Sequence, residues 1–154
     1  MCGIIGYTGH KEAYPLLLSG LEKLEYRGYD SAGICTSDNN VLHLHKLKGR
    51  VQNLKIKTLP GTKGIAHTRW STHGIPSDRN AHPFTDVNNQ FSIVHNGIIE
   101  NYLELKEELR QDGITFTSDT DSEVMVHLIA KYYQGDLKQA VLKTISRLQG
   151  AYAF

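Results

Sequence analysis

The first half of the chain contains four segments whose apolar and polar positions predict β-strands. Residues 2–7 are rich in Ile and Gly, and residues 64–68 have the composition of another buried strand. Residues 31–36 form an apolar segment, and residues 41–47 alternate between apolar and polar positions. Because Asp38-Asn39-Asn40 between these last two is a turn signal, they are predicted to pair as a hairpin.

The second half begins with a long polar loop at residues 69–85, which contains glycine and proline. A loop of this length inside a compact domain is usually functional or disordered. Residues 91–95 then predict a strand that runs into Asn96-Gly97, a pair typical of turns. A last strand is expected at residues 151–154, where it stops short.

Apolar residues recur at helical spacing in four segments, which predicts four amphipathic helices. Their apolar faces consist of Tyr14, Leu17, Leu18, Leu21 and Leu24; of Tyr102, Leu105 and Leu109; of Met125, Leu128, Ile129 and Tyr132; and of Leu137, Val141, Ile145 and Leu148. Thr120 to Glu123 is a capping-box signal before the third helix, and Asp136 to Gln139 repeats it before the fourth. Clustered strands, hairpins and helices together indicate a layered structure with largely antiparallel sheet.

Composition limits the partners of this chain. Its 154 residues fit one compact domain or a piece of a larger protein. A formal net charge of +1 does not indicate binding to nucleic acid or to an anionic membrane. The longest apolar runs are too short to span a bilayer, and the N-terminus lacks the features of a signal peptide. A cytoplasmic location is therefore expected, with neither nucleic acid nor membrane as partner.

The two cysteines differ in their surroundings. Cys35 lies in an apolar run and is predicted to be a core side chain, whereas Cys2 would become the first residue if Met1 were removed. An α-amino group with a pKa of about 8 could then serve as the local base for the thiol. The oxyanion formed by attack on an amide needs donors, which Asn96 and Gly97 could supply. From the residues alone, Cys2 fits the start of a buried strand equally well, and Asn96-Gly97 fits a simple turn.

Six segments in sequence order resemble one family, and together they cover essentially the whole chain. These are Cys2 to Gly6, Leu24 to Gly33, Ala66 to Gly74, Asn80 to Pro83, His95 to Asn101 and Thr120 to Glu123. They resemble the glutaminase half of the glucosamine-6-phosphate synthases (glutamine:fructose-6-phosphate aminotransferases), which are class II glutamine amidotransferases. The related amidophosphoribosyltransferases have Arg-Gly-Gln-Glu-Ser where this chain has Arg27-Gly28-Tyr29-Asp30-Ser31.

This resemblance implies a fold and an activity. The expected fold is the α+β N-terminal-nucleophile hydrolase sandwich, with four α/β/β/α layers and antiparallel sheets, incomplete at its C-terminus. Residues 1–154 would form the glutaminase domain, with the isomerase part absent. The domain would hydrolyse glutamine to glutamate and ammonia through a γ-glutamyl thioester on Cys2, without a cofactor. In the full-length enzyme, expected to be a homodimer, the ammonia would convert fructose 6-phosphate to glucosamine 6-phosphate at the C-terminal sugar isomerase domain.

The resemblance also implies residue roles. Cys2 would be the nucleophile, and Asn96 and Gly97 would form the oxyanion hole. Arg69 would bind the α-carboxylate of glutamine, and Asp121 would bind its α-ammonium. Thr72 and His73 would close over the substrate, and Trp70 would gate the ammonia passage. Two of these residues have a structural alternative. Asp121 fits the first position of a capped helix, and Trp70 fits a core or lid aromatic.

The eight histidines do not indicate a metal site. His43 and His45 share a strand face, but no carboxylate or cysteine ligand set accompanies them. His67, His82 and His95 fall inside the resembling segments and receive no chemical role, although His95 is expected to be buried near the site.

Three other functions remain open at this point. The chain could bind glutamine without turning it over, although binding alone would not need a nucleophile at the second position. It could be the glutaminase half of another amidotransferase, such as an amidophosphoribosyltransferase. A redox role for Cys2 and Cys35 has the least support, because their spacing resembles no redox motif.

Overall fold

The computed structural model describes residues 2–71 and 75–154. Its strands are β1 (Gly3–Thr8), β2 (Ser31–Asp38), β3 (Val41–Lys48), β4 (Lys63–Arg69), β5 (Phe84–Thr85), β6 (Ser92–Ile93), β7 (Asn96–Ile99) and β8 (Gly150–Ala153). Its helices are α1 (Ala13–Leu24), α2 (Tyr102–Gln111), α3 (Glu123–Tyr132) and α4 (Leu137–Ile145), with short 3₁₀ turns at Glu25–Arg27 and Val51–Ile56. All four predicted helices are present.

The first four strands form one antiparallel sheet in the order β1-β4-β2-β3. The predicted hairpin joins β2 to β3, with Asp38 opposite Val41. Asn39 and Asn40 form its turn at φ values of 47° and 65°. Asparagine tolerates this left-handed region better than most residues, and two such residues in a row match the twist of a hairpin.

Two smaller antiparallel pairs, β5 with β6 and β7 with β8, follow along the chain. The strand predicted at residues 91–95 is shorter than expected, since only Ser92–Ile93 pairs. The turn predicted at Asn96-Gly97 is wrong, because Asn96 opens β7 and pairs with Ala153 of β8. The partner strand lies more than 50 residues further on, so local sequence could not show this pairing.

Helix α1 covers one face of the large sheet, and the other face meets the smaller strand pairs. Leu17 and Leu21 of α1 are fully buried in a cluster with Ala32 and Ile34 of β2. Removing either leucine side chain would cost about 2–5 kcal/mol. On the opposite face the layers approach closely, since a Cβ at Gly33 would lie 2.0 Å from the carbonyl oxygen of His82.

A second core lies between the smaller strand pairs and helices α2 to α4. It contains Phe84, Ile93 and Ile99 from the strands together with Leu105, Leu109, Met125, Leu128 and Ala140 from the helices. The order of layers is therefore helix, sheet, sheet, helices. This confirms the expected α+β class with antiparallel sheets. No helix in the described ranges has the length and apolar character needed to cross a bilayer.

The two predicted helix caps have different outcomes. Asp136 caps α4, because its carboxylate accepts the Gln139 backbone N–H at 3.1 Å. The capping box of α3 is wrong: Glu123 is itself the first helical residue, and Ser122 at the N-cap makes no side-chain cap bond. The Glu123 carboxylate instead accepts the backbone N–H groups of Thr117 and Ser118 at 2.8 and 2.7 Å. It therefore anchors the preceding loop to the helix.

Candidate functional site

A cleft of about 600 Å³ lies where the N-terminus meets the ends of β4 and β7. Six of the eight predicted site residues line it, namely Cys2, Arg69, Trp70, Asn96, Gly97 and Asp121. The other two, Thr72 and His73, lie outside the described residues. Residues from positions 2 to 121 are thus brought together by the pairing of β1 with β4 and by the hydrogen bond that joins Asp121 to Ile99 of β7.

Cys2 is half-buried and directly precedes β1 of the large sheet. Its sulfur accepts the backbone N–H of Trp70 at 3.2 Å, so the loop after β4 fixes the thiol in the cleft. Cys35 is buried, and burial raises the pKa of its thiol. A buried thiol with a raised pKa is a poor nucleophile. This agrees with the prediction that Cys35 is a core residue.

Arg69 and Asp121 place opposite charges in the same cleft, and each side chain is only 4% exposed. Burial lowers the pKa of Arg69, and the neighbouring acidic groups of Cys2, Asp121 and Asp30 oppose that shift. The Asp121 carboxylate accepts the Ile99 backbone N–H at 2.8 Å. The helix-cap alternative for Asp121 is therefore wrong, since α3 begins two residues later and the carboxylate binds the end of β7.

Asn96 and Gly97 open β7 beside Cys2. The Asn96 side chain donates from Nδ2 to the Cys2 carbonyl oxygen at 3.3 Å. Gly97 has a φ of +126°, and a Cβ there would lie 2.2 Å from the Ala151 carbonyl oxygen. Backbone conformation and the neighbouring strand both exclude a side chain, so only glycine fits at this position.

Trp70 lies at the surface of the cleft with 47% of its area exposed, so it is not a core aromatic. Its ring meets Tyr29 edge-on, with ring centres 5.8 Å apart. The turn that carries Tyr29 docks on the same segment, because Asp30 Oδ2 accepts the Ser71 backbone N–H at 2.8 Å. A Cβ at Gly28 would lie 2.8 Å from the Arg69 backbone, which explains the glycine in this turn.

Three buried histidines, His67, His82 and His95, form a cluster at the cleft, and His82 and His95 line it. The expectation that His95 is buried near the site is confirmed, whereas the clustering of the three rings was not predicted. The rings of His67 and His82 stack with centres 4.2 Å apart, and His82 and His95 lie 6.4 Å apart. His82 Nδ1 accepts the His95 backbone N–H at 3.3 Å, and His95 Nδ1 lies 2.7 Å from Ser122 Oγ. Burial lowers the pKa of His67 to about 4 and that of His82 well below its usual range, so both are neutral near pH 7.

Spacing could have indicated part of this cluster. His67 precedes Arg69 by two residues on one strand, so both side chains point to the same face, and His95 directly precedes Asn96. Arg27 was also missed and lines the cleft.

Within residues 2–71 and 75–154, no group of three or more histidine, cysteine or acidic side chains could hold a metal ion.

Comparison with known proteins shows the family of this chain. The family model described as a glutamine amidotransferase domain matches residues 67–154, which is more than half of the chain. The chain belongs to the glutamine amidotransferase domain family.

This amidotransferase chain is similar to the glutamine–fructose-6-phosphate aminotransferases (isomerizing) of Aquifex aeolicus and Clostridium tetani. The identities are 57% and 54%, over 100% and 99% of the chain. The chain spans about a quarter of the length of these relatives, 27% and 26% respectively. The predicted resemblance is therefore confirmed.

The amidotransferase chain also shares its fold with two solved structures. One is glutamine phosphoribosylpyrophosphate amidotransferase from B. subtilis, at 33% identity and a TM-score of 0.83. The other is described as the allosteric regulatory enzyme of purine biosynthesis, at 32% identity and a TM-score of 0.85. Each match covers 99% of this chain and 34% of the solved chain. The expected fold is thus confirmed, and the aminotransferases are the more similar of the two groups.

Proposed function

We propose that the chain hydrolyses glutamine to glutamate and ammonia at Cys2. The observation that carries the proposal is the convergence of a thiol, a side-chain amide donor and a pair of opposite charges on one cleft. Cys2, Asn96, Arg69 and Asp121 all line it. A site that only bound glutamine would need the charges but not the thiol.

Glutamine binding uses the two buried charges. The planar guanidinium of Arg69 suits two parallel hydrogen bonds to the α-carboxylate. The Asp121 carboxylate pairs with the α-ammonium, and its bond to Ile99 N–H holds it in place for that contact. The side-chain amide of glutamine then extends towards Cys2, Asn96 and Gly97.

Catalysis begins once Cys2 is the first residue of the chain. Its α-amine takes the thiol proton, and the sulfur attacks the amide carbon of glutamine. Asn96 Nδ2 and the Gly97 backbone N–H stabilise the oxyanion of the tetrahedral intermediate. The amine then donates its proton to the leaving nitrogen, ammonia departs, and a γ-glutamyl thioester remains on Cys2. Water activated by the same amine hydrolyses the thioester and restores the thiol.

The remaining roles belong to the same proposal. Thr72 and His73 close over bound glutamine, and Trp70 at the cleft surface gates the departure of ammonia. Residues 1–154 act as the glutaminase domain of a cytoplasmic homodimer. Its C-terminal sugar isomerase domain uses the ammonia to make glucosamine 6-phosphate from fructose 6-phosphate. The similarity to aminotransferases about four times as long supports this assignment.

Glutamate release from glutamine tests the proposal. The sample should have Cys2 as its first residue, confirmed by intact mass, since the nitrogen of Cys2 is a non-basic amide while Met1 remains. Such a sample should release glutamate, and Cys2→Ala should abolish release because the nucleophile is lost. Cys35→Ala is the matched control and should retain activity. Glutamine binding without glutamate release by the processed chain would show that it is a binding module instead.

A further inference from the structure

The Asn96 amide is held from two sides. On one side, Nδ2 donates to the Cys2 carbonyl oxygen at 3.3 Å. On the other, Oδ1 lies 2.8 Å from His67 Nε2. The same His67 nitrogen lies 3.0 Å from the His95 carbonyl oxygen.

These contacts determine where the hydrogens are. A backbone carbonyl can only accept a hydrogen bond, so the contact with His95 requires a hydrogen on His67 Nε2. That single hydrogen is shared between the two oxygens. A protonated Nε2 cannot accept a bond from an NH₂ group, so the Asn96 oxygen must point towards His67. The Cys2 carbonyl is likewise only an acceptor, so the NH₂ group of Asn96 must point towards Cys2. Both contacts select the same one of the two possible amide orientations.

We propose that His67 is a positioning residue that turns the Asn96 NH₂ group towards the oxyanion formed at Cys2. The inference rests on the proposed function. One Asn96 hydrogen points to the Cys2 carbonyl, and the NH₂ group has a second for the substrate oxygen. If the amide rotated by 180°, Asn96 would present an oxygen to the oxyanion and would repel it.

The surroundings of His67 suit this task. The ring is 1% exposed and stacks on His82 at 4.2 Å, so it cannot swing away from Asn96. Burial lowers its pKa to about 4, so the neutral ring with one donor persists throughout the neutral pH range. A rigid support of this kind preorganises a catalytic donor before the reaction.

Replacing His67 with either of two amide side chains distinguishes a role in positioning Asn96 from a role in packing. His67→Gln places an amide NH₂ near the former Nε2 and should keep Asn96 in place, whereas His67→Asn reaches only the Nδ1 position. His67→Asn and His67→Ala should lower kcat for glutamine hydrolysis by between about 10-fold and about 10²-fold, the larger figure being that for outright loss of an oxyanion-hole donor. Their KM should change little, because Arg69 and Asp121 still bind the charged end of glutamine.

A double-mutant cycle then tests whether His67 acts through Asn96. In the full-length protein with Cys2 first, His67→Ala should lower kcat in the wild-type background but not in an Asn96→Ala background. His127→Ala is the matched control, because His127 is also a buried histidine and lies outside the cleft. It should lower the melting temperature while kcat stays unchanged.

The side-chain NH₂ resonances of Asn96, identified by their absence in Asn96→Ala, give a readout that does not depend on catalysis. They should shift in His67→Ala and return towards wild type in His67→Gln. Unchanged resonances, or full additivity of the two alanine substitutions, would overturn the role of His67 while leaving glutamine hydrolysis intact. Absence of hydrolysis by the wild-type protein would instead refute the proposed function, and the resonances would still decide whether His67 orients Asn96.

Discussion

Arg69, Asp121 and Asn96 lie in one cleft, and the proposed function assigns them to different parts of the substrate. Arg69→Ala and Asp121→Ala should mainly raise KM, by about 10- to 100-fold, since a hydrogen bond to a charged group contributes about 1.5–3 kcal/mol. Asn96→Ala should mainly lower kcat, by about 10²-fold, because its donor acts in the transition state. Steady-state kinetics of glutamate release measure both constants. Equal changes in kcat and KM for all three variants would show that the roles are misassigned.

Gly97 combines a left-handed backbone with contact to the next strand. Gly97→Ala should lower kcat by at least about 10²-fold, because the new Cβ must displace the Ala151 carbonyl and with it the proposed Gly97 donor. Gly6→Ala in β1 is the control, since a Cβ there would meet nothing within 4 Å. Glutamate release and circular dichroism distinguish lost catalysis from lost folding. An active, folded Gly97→Ala variant would contradict the role assigned to this backbone.

The candidate site could be predicted from sequence where residue type and order suffice. Cys2, Arg69 and Asn96 were named from segments that resemble a family, and the structure brings them together. The role of His67 could not be predicted, because it depends on which acceptors surround one ring nitrogen. Those acceptors come from His95 and from Asn96 at the start of β7, nearly 30 residues further along the chain.

At the scale of elements, Glu123 joins α3 to the loop before it. Its carboxylate is 1% exposed. Burial alone would raise the pKa of this group, but hydrogen bonds from His127, Ser118 and Thr117 outweigh burial and lower the pKa to about 2. Because the folded-state pKa is depressed, the carboxylate stabilises the fold fully above its usual pKa of 4.5, and this contribution is lost as pH falls towards 2.

Unfolding by urea at several pH values tests this linkage. The free energy of unfolding of the wild-type chain should fall between pH 4.5 and 2, by roughly 3 kcal/mol from Glu123 alone. Glu123→Gln should be less stable at pH 7 and should show a correspondingly smaller fall. If both proteins lost the same stability over this range, the carboxylate would not be the titrating anchor.

Element types followed from sequence better than their ends did. Helical spacing predicted all four helices. Helices α1 and α2 bury most of the predicted apolar face, but α3 is buried nearly all round, and α4 buries Ala140 and Thr144 while Leu137 and Ile145 are exposed. The turn at Asn96-Gly97 and the capping box at Thr120 to Glu123 were wrong for the same reason. In both places a partner outside the predicted motif, the distant strand β8 for the first and the preceding loop at Thr117 and Ser118 for the second, takes the bonds that the motif would otherwise make.

For the molecule as a whole, ligand binding should report on the pair of opposite charges. At a concentration about 100 times its dissociation constant, glutamate should stabilise the folded chain by about 2.7 kcal/mol. For a chain of this size this should raise the melting temperature by about 5 °C or more. At the same concentration, the 2-oxo analogue of glutamate, which lacks the ammonium group, should raise the melting temperature less. Asp121→Ala should remove this difference in melting temperature between the two ligands. Equal shifts from both ligands in the wild type would exclude Asp121 as the ammonium partner.

Strand β7 links the two ends of the proposed substrate site. It carries the amide donors at Asn96 and Gly97, and two residues later the Ile99 N–H holds Asp121. Two residues of strand span roughly 6–7 Å. A misplacement of about 1 Å can cost roughly 10²-fold in rate. Under the proposed binding mode, the strand therefore sets the length of side chain that the site accepts. Asparagine, one methylene shorter, should not bring its amide to the sulfur while its amino group remains on Asp121.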